Sequence, residues 1–398
     1  MITPDEALDL VVRTAVSLPP QSYPLQKAYG LVLAEDVVAD RDYPPFPRAM
    51  MDGFAVRTAD AGKTVPVVGE IPAGMSWEEE LVDGRCIAIL TGAPCPAGTE
   101  AVIPKEHVRQ HESGVVLPAQ IAAGQNIATT GSECRRGHLV LAAGMRVTPL
   151  AVGVLASFGW SSVRVVPRSS LGIITTGSEF CGQGESLQPG RIRDSNGPML
   201  AAMAQELGIN PLRCLHAPDR LVDLRQALEQ LADADIVVSS GGVSVGTYDL
   251  VPQVLADMGA EKIFHGVKQK PGKPLLFTRC GRQLFFGLSG HPLACHLGFH
   301  RYVSAAIGKL CGHKMPRRGI HGELAAPVES RAGRTCFVPG FAEPATGSQS
   351  AWRITPLSAA SSADIFRTCG ANCYIEVPPL GRTLLAGETC PFTWLAES

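Results

Sequence analysis

Residues 235–249 run from Asp235 through the β-branched Ile236, Val237 and Val238 into Ser239, Ser240, Gly241, Gly242, Val243, Ser244, Val245, Gly246, Thr247, Tyr248 and Asp249. This order reads as a buried strand, a glycine-rich turn and the start of a helix extending from about Tyr248 to Met258. Gly241, Gly242 and Gly246 relieve the turn of Cβ atoms, so backbone N–H groups can face an anion, and the helix aims its positive end at the same point. Asp249 places a carboxylate where that anion sits. A Mg²⁺ ion between carboxylate and phosphate reconciles the two, since Mg²⁺ is held by one or two carboxylates plus substrate phosphates. The spacing from Gly241 to Gly246 imitates a P-loop, but Thr247 stands where that motif needs Lys, which argues against an NTPase of that type. Taken alone, the stretch reads equally well as a plain strand-to-helix turn with Asp249 at the helix start.

Other groups are expected on the same rim, because ligands of an open parallel sheet bind beyond the carboxyl ends of its strands. A strand over 171–174 delivers Thr175, Thr176, Gly177, Ser178 and Glu179; a strand over 211–216 delivers Asp219. Glu179 and Asp249 are the candidate metal or water-handling pair, since a phosphate reaction needs a metal bridge and an oriented attacking oxygen. Asp219 occupies a helix N-cap position, and capping is its expected role. After Asp194, Ser195 or Asn196 is expected to cap the next helix while remaining able to hydrogen-bond a ligand. Lys270 and Lys273 lie on a proline-fixed loop and offer two point charges to an oxyanion; the competing reading is a solvated basic turn. His296 and His300 are four apart, as are Cys134 and His138, but neither pair has a third ligand at motif spacing, so both read as core or surface residues. No serine-nucleophile elbow and no His-Glu-x-x-His motif occurs.

The elements that must hold these groups follow from periodicity. Ala7, Leu8, Val11, Val12 and Ala15 share one face of a helix over 3–16, opened by a Thr3–Glu6 capping box with Pro4 at its first position. The proline-rich segment 41–52 is a fixed loop ending in Asp52 and Gly53. Short strands with Gly and Pro punctuation from 56 to 141 predict a small β-domain. An apolar helix over 149–158 and a strand over 163–166 lead out of it. From Leu171 strands and helices alternate in doubly wound α/β order, ending in strands over 274–277 and 283–288 and a last helix over 292–307. After about His313 the pattern returns to strands, predicting a separate small barrel or sandwich.

Composition bounds the rest. A length of 398 residues implies two to four domains, and a net charge of −2 without a Lys/Arg run argues against a nucleic-acid binder. No apolar run approaches the roughly 20 residues of a membrane span. The helical opening at Thr3 leaves no signal peptide, which predicts a cytoplasmic protein whose twelve cysteines are free thiols.

Met51-Asp-Gly-Phe-Ala55, Thr91-Gly-Ala-Pro94, Thr176-Gly-Ser-Glu179, Asp194-Ser-Asn196, Ser240-Gly-Gly-Val-Ser-Val-Gly246 with Asp249, and Lys270-Pro-Gly-Lys-Pro274 occur in the order of the molybdopterin molybdenumtransferase (MoeA) family, which the chain resembles over nearly its whole length. The resemblance implies a multidomain α/β plus β protein. Its parts are a helical linker domain (1–43 and 141–167), an inserted β-domain (44–140), a doubly wound molybdopterin-binding α/β domain (168–312) and a C-terminal β-barrel (313–398). It implies that a divalent metal, normally Mg²⁺, assists insertion of molybdate into adenylylated molybdopterin, which releases AMP and molybdenum-molybdopterin. It also implies a homodimer in which Asp52 and Thr91 of one subunit face Glu179 and Asp249 of the other, and a partner in the adenylyltransferase of the same pathway. Asp52, Thr91, Glu179 and Asp249 are the catalytic candidates. Thr176, Gly177, Asp194, Ser195, Asn196, Asp219, Ser240, Gly241, Gly242, Val243, Ser244 and Gly246 are the candidates for the pterin and its phosphate. Lys270, Lys273, Pro292 and, in the last domain, Arg334 are those for the oxyanion.

The chain departs from the family pattern at Gly287-Leu-Ser-Gly-His-Pro292 followed by Leu293 and Ala294, where a proline, an asparagine and a serine hydroxyl are usual. Glu133 replaces a usual Asp, and Ala128 a common basic residue. The altered loop motivates two alternatives: a pterin-binding scaffold without turnover, and a variant that inserts tungstate.

Overall fold

The computed structural model describes residues 1–182, 184–243, 250–313, 320–345 and 350–395. Contacts divide the chain into two compact units, one of residues 22–164 and the other of residues 1–21 with 165–398. The chain enters on α1 (Pro4–Thr14), where Thr3 Oγ1 accepts from Glu6 N at 3.3 Å and Glu6 Oε2 accepts from Thr3 N at 2.7 Å. Both halves of the expected capping box are present, and Ala7, Leu8 and Val11 turn inward.

The unit 22–164 is built on a sheet of β1 (Gly53–Val56), β2 (Val67–Ile71), β3 (Cys86–Ile89) and β4 (Ala101–Pro104) in the order β2-β3-β1-β4. Its strands carry apolar side chains on both faces: Ala55, Ile87 and Val102 fill one cluster, Phe54, Cys86 and Ile103 the other. That is period-2 alternation between two buried layers. Gly53 is obligatory here, since a Cβ on it would lie 2.0 Å from the carbonyl oxygen of Ile103 across the ladder. A helix, α2 (Pro149–Ser157), capped by Thr148, leads out.

The other unit holds a six-stranded sheet formed by β5 (Leu171–Thr176), β6 (Arg213–Ala217), β7 (Ile236–Ser240), β8 (Glu261–His265), β10 (Leu276–Cys280) and β11 (Gln283–Leu288). The short β9 (Gln269–Lys270) lies between β8 and β10 in the chain and belongs elsewhere. The order is β6-β5-β7-β11-β10-β8. Strands β6, β5, β7 and β11 are parallel, whereas β10 is antiparallel to both β11 and β8. A tight turn with Gly281 at φ 58° joins β10 to β11, and so short a loop permits only antiparallel pairing. Helices α3 (Asn196–Glu206), α4 (Leu221–Glu229) and α5 (Val251–Asp257) cover the sheet, with α6 (Pro292–Gly298) and α7 (Ser304–Leu310) after it. Ile173, Ile236, Val238, Phe277 and Phe286 share a core with α1 and α3, while Ile174, Val237 and Phe285 share one with α4 and α5. Alternate residues of single strands thus feed opposite layers, as doubly wound order requires.

The last helix expected over 292–307 is interrupted: a π-helical turn, Phe299–Val303, separates α6 from α7. Beyond it, β12 (Ile320–Leu324), β13 (Thr335–Pro344), β14 (Trp352–Pro356), β15 (Cys373–Val377) and β16 (Thr389–Trp394) follow one another as β13-β14-β12-β16-β15, and β15 pairs back with β13. The ring closes into a five-stranded barrel. Strand β9 adds to its outside, parallel to β13. Arg301, on the π turn, is 7% exposed and joins these parts through Asp5 of α1 at 2.9 Å and Glu376 of β15 at 2.8 Å, its guanidinium 4.7 Å over the Phe337 ring.

Candidate functional site

A cleft of about 660 Å³ opens at the carboxyl edge of the six-stranded sheet. Its floor is the turn after β7. Gly241 and Gly242 adopt φ 95° and 69°, and a Cβ on Gly241 would lie 2.5 Å from Thr176 Oγ1. The Thr176 hydroxyl donates to Ser240 O at 3.3 Å, stitching β5 to β7 below the turn. Gly177, at φ 152°, lets the Glu179 carboxylate fold back over it. His265 Nε2 lies 2.8 Å from Val243 O and ties the far end of the turn to β8.

Asn196 is 5% exposed and donates through Nδ2 to Ser240 Oγ at 2.7 Å and to Gly290 O at 2.8 Å, while its Oδ1 has no partner among the described residues. It joins α3, the glycine turn and the loop after β11. The cap of α3 comes from neither Ser195 nor Asn196: Asp194 Oδ1 accepts from Gly197 N at 2.9 Å, so the carboxylate three residues upstream closes the first turn. Asp219 is corrected as well. The cap position of α4 belongs to Arg220, one residue later, and Asp219 lines the cleft beside Glu179.

The cationic wall has a topological cause. Residues preceding an antiparallel strand lie at the same edge as residues following its parallel neighbours, so the loop before β10 meets the loop after β11. Lys270 and Lys273 from the first, Ser289, Gly290, His291 and Pro292 from the second, and Arg334 at the start of β13 line one cleft. Among the described residues no carboxylate pairs with either lysine or with Arg334. Ser362 reaches in from the barrel, its Oγ 2.7 Å from His291 Nδ1.

The expected residues Thr176, Gly177, Glu179, Ser195, Asn196, Asp219, Ser240, Gly241, Gly242, Val243, Lys270, Lys273, Pro292 and Arg334 therefore meet in one cleft. Asp194 serves it from behind. Ser244, Gly246 and Asp249 lie outside the described residues. Asp52 and Thr91 belong to the other unit, where Asp52 Oδ1 accepts from Thr91 N at 2.8 Å and from Thr91 Oγ1 at 2.7 Å. Those two bonds, with Lys105 3.8 Å away, hold its carboxyl below the usual carboxylate range. Sequence reasoning did not single out Phe180, Ile192, Arg193, Gln269 and Ser362 among the lining residues. Neither Gln269, flanked by Lys268 and Lys270, nor Ser362 carried a signal in the sequence.

His296 and His300 are half-buried and pack against Tyr374. Burial pushes both imidazoles down to about 4, and His296 Nδ1 lies 2.9 Å from the Tyr374 hydroxyl. Among the described residues no three His, Cys, Asp or Glu side chains group as an all-protein metal site. A hard cation shared with substrate phosphates needs only one or two carboxylates, and Glu179 on the cleft wall supplies one.

A glycine turn, a buried amide, and cations and acids lining one cleft mark a doubly wound α/β protein with its candidate site at the strand ends. Residues 2–159 match the MoeA N-terminal region (domain I and II), 172–309 the probable molybdopterin binding domain, and 321–395 the MoeA C-terminal region (domain IV). A molybdopterin molybdenumtransferase of Staphylococcus aureus is 31% identical over 392 residues, 96% of this chain and 93% of the relative. One of Staphylococcus epidermidis is 34% identical over 321 residues, 79% of this chain and 77% of the relative. A crystal structure of a molybdopterin biosynthesis MoeA protein from Pyrococcus horikoshii superposes with a TM-score of 0.82 at 27% identity, covering 100% of both chains. The chain belongs to the molybdopterin molybdenumtransferase family.

Proposed function

We propose that this chain, a transferase of molybdenum cofactor biosynthesis, inserts molybdate into adenylylated molybdopterin and releases AMP. The observation that carries the reading is the meeting of a glycine anion turn with three cations, Lys270, Lys273 and Arg334, that pair with no carboxylate among the described residues, in one cleft. A phosphate and a separate oxyanion then have distinct seats. Backbone N–H groups of the turn after β7 receive the phosphate, and the lysines and Arg334 attract the oxyanion. Glu179 and Asp249 would hold Mg²⁺, which when bound neutralises charge developing on the phosphoanhydride. Asn196 fixes the glycine turn against the loop after β11, which keeps the two seats at constant spacing. The homodimer, with the Asp52–Thr91 pair of one subunit serving the cleft of the other, the cytoplasmic location, the adenylyltransferase partner and the fourfold domain division rest on family likeness and belong to the same proposal.

Purified protein given adenylylated molybdopterin, Mg²⁺ and molybdate is expected to release AMP in a molybdate-dependent manner, and Asp249→Ala to abolish that release. Tight molybdopterin binding without any oxyanion-dependent release would reject transfer in favour of a scaffold. A preference for tungstate in direct competition would replace the molybdate assignment.

A further inference from the structure

Gln269 is 1% exposed, and a buried primary amide persists only where its donors and acceptor are met. Here all three are. Nε2 donates to Pro271 O at 3.2 Å and to Gly272 O at 3.3 Å, the two carbonyls between Lys270 and Lys273. Oε1 accepts from the hydroxyl of Tyr302, which is fully buried on the π turn between α6 and α7. Gly272 is fitted to this arrangement: at φ 80°, a Cβ there would come to 3.0 Å from Gln269 Nε2.

The backbone of the same residue reaches the third cation. Gln269 and Lys270 pair in parallel with Thr335 and Cys336, and Thr335 N donates to Lys268 O at 3.1 Å, so Arg334 enters the barrel strand directly beside the lysine strand. One residue thus braces the loop between two cations by its side chain and registers the third by its ladder. The π turn supplies the anchor, since it carries Tyr302 beneath the loop and is itself pinned by Arg301.

We infer that Gln269, held by Tyr302, is a positioning residue that presets Lys270, Lys273 and Arg334 as one oxyanion seat. This rests on the reading of the cleft given above. Lysine side chains are long and flexible, so a seat built from them gains affinity when the backbone that carries them is fixed before the anion arrives. Gln269 touches no substrate in this scheme and acts only through the loop.

Gln269→Met keeps the volume and deletes all three bonds; Tyr302→Phe deletes one. The KM for molybdate is expected to rise roughly tenfold in Gln269→Met and roughly threefold in Tyr302→Phe, the size of lost buried hydrogen bonds. The KM for adenylylated molybdopterin should stay within about twofold, and kcat at saturating molybdate should hold, because uniform binding of one ligand is what is lost. Adding Tyr302→Phe to Gln269→Met should cost nothing more, as both act through one network. Calorimetric titration with molybdate alone should give the same ratios without turnover. If Gln269→Met does not fold, Tyr302→Phe carries the test. Unchanged molybdate affinity, or equal losses for both substrates, overturns the inference. A wild-type protein that binds molybdate with the expected variant ratios yet releases no AMP overturns the proposed function instead.

Discussion

Asn196 holds three elements with one amide, and its loss should be felt in stability and in binding together. Asn196→Ala deletes the donors to Ser240 Oγ and Gly290 O, leaving a carbonyl in the cleft wall unpaired. Removing one partner of buried hydrogen bonds costs about 2 kcal/mol, which urea denaturation should read directly. Molybdopterin affinity should fall in parallel, because the glycine turn loses its lateral support. The two imidazoles make a different prediction. His296 and His300 ionise near 4 in the fold, below the 6.5 of a free histidine, so the unfolded chain binds more protons throughout that interval. Stability is therefore complete above pH 6.5 and declines as pH falls toward 4, by up to about 1.4 kcal/mol per pH unit for each imidazole. Glu388, lowered from 4.5 to about 2 beside Arg382, adds its own loss only as pH falls below 4.5, at the bottom of this window. Thermal unfolding between pH 7 and pH 4 should show the slope, and His296→Phe should shallow it.

At the scale of elements, the glycine turn is the most constrained backbone in the cleft. Gly241→Ala forces a Cβ to 2.5 Å from the Thr176 hydroxyl at a φ that L-residues avoid. The expected cost is about 2 kcal/mol of stability together with loss of pterin binding, whereas Gly259→Ala, in open space although also at positive φ, should leave binding intact. Arg301→Met tests the join between helices and barrel. It leaves Glu376, with a side chain 19% exposed, without its guanidinium, and a midpoint shift equivalent to about 3 kcal/mol is expected in denaturant. Strand ends, glycine turn and lysine loop were all legible in the chain because each rests on local residue chemistry. The antiparallel placement of β10 was not, since it depends on a turn at Gly281 whose consequence appears only when the strands pair. The same holds for Asp219. A one-residue shift of a helix start moves a carboxylate from cap to cleft, and sequence patterns locate helix starts less finely than that. Ser362 lies 71 residues from His291, a contact that no local pattern encodes.

At the scale of the whole molecule, the proposed dimer yields the sharpest prediction, because it can be read without a further structure. In the proposed arrangement each active site takes its Asp52–Thr91 pair from one subunit and its Glu179 from the other. Asp52→Ala and Glu179→Gln, each inactive alone, then become complementary. A mixed dimer contains one site that carries both lesions and one site that carries neither. Equimolar mixing with full exchange makes half the dimers mixed, so activity should recover to about a quarter of wild type, as two-fold symmetry dictates. If both groups came from one chain, every site in every mixture would keep a lesion and recovery would be nil. Refolding the two variants together, against refolding them apart and mixing afterwards, separates subunit exchange from assay background. Sedimentation at the assay concentration fixes the fraction of dimer on which the quarter depends, and a monomer there would overturn the arrangement outright.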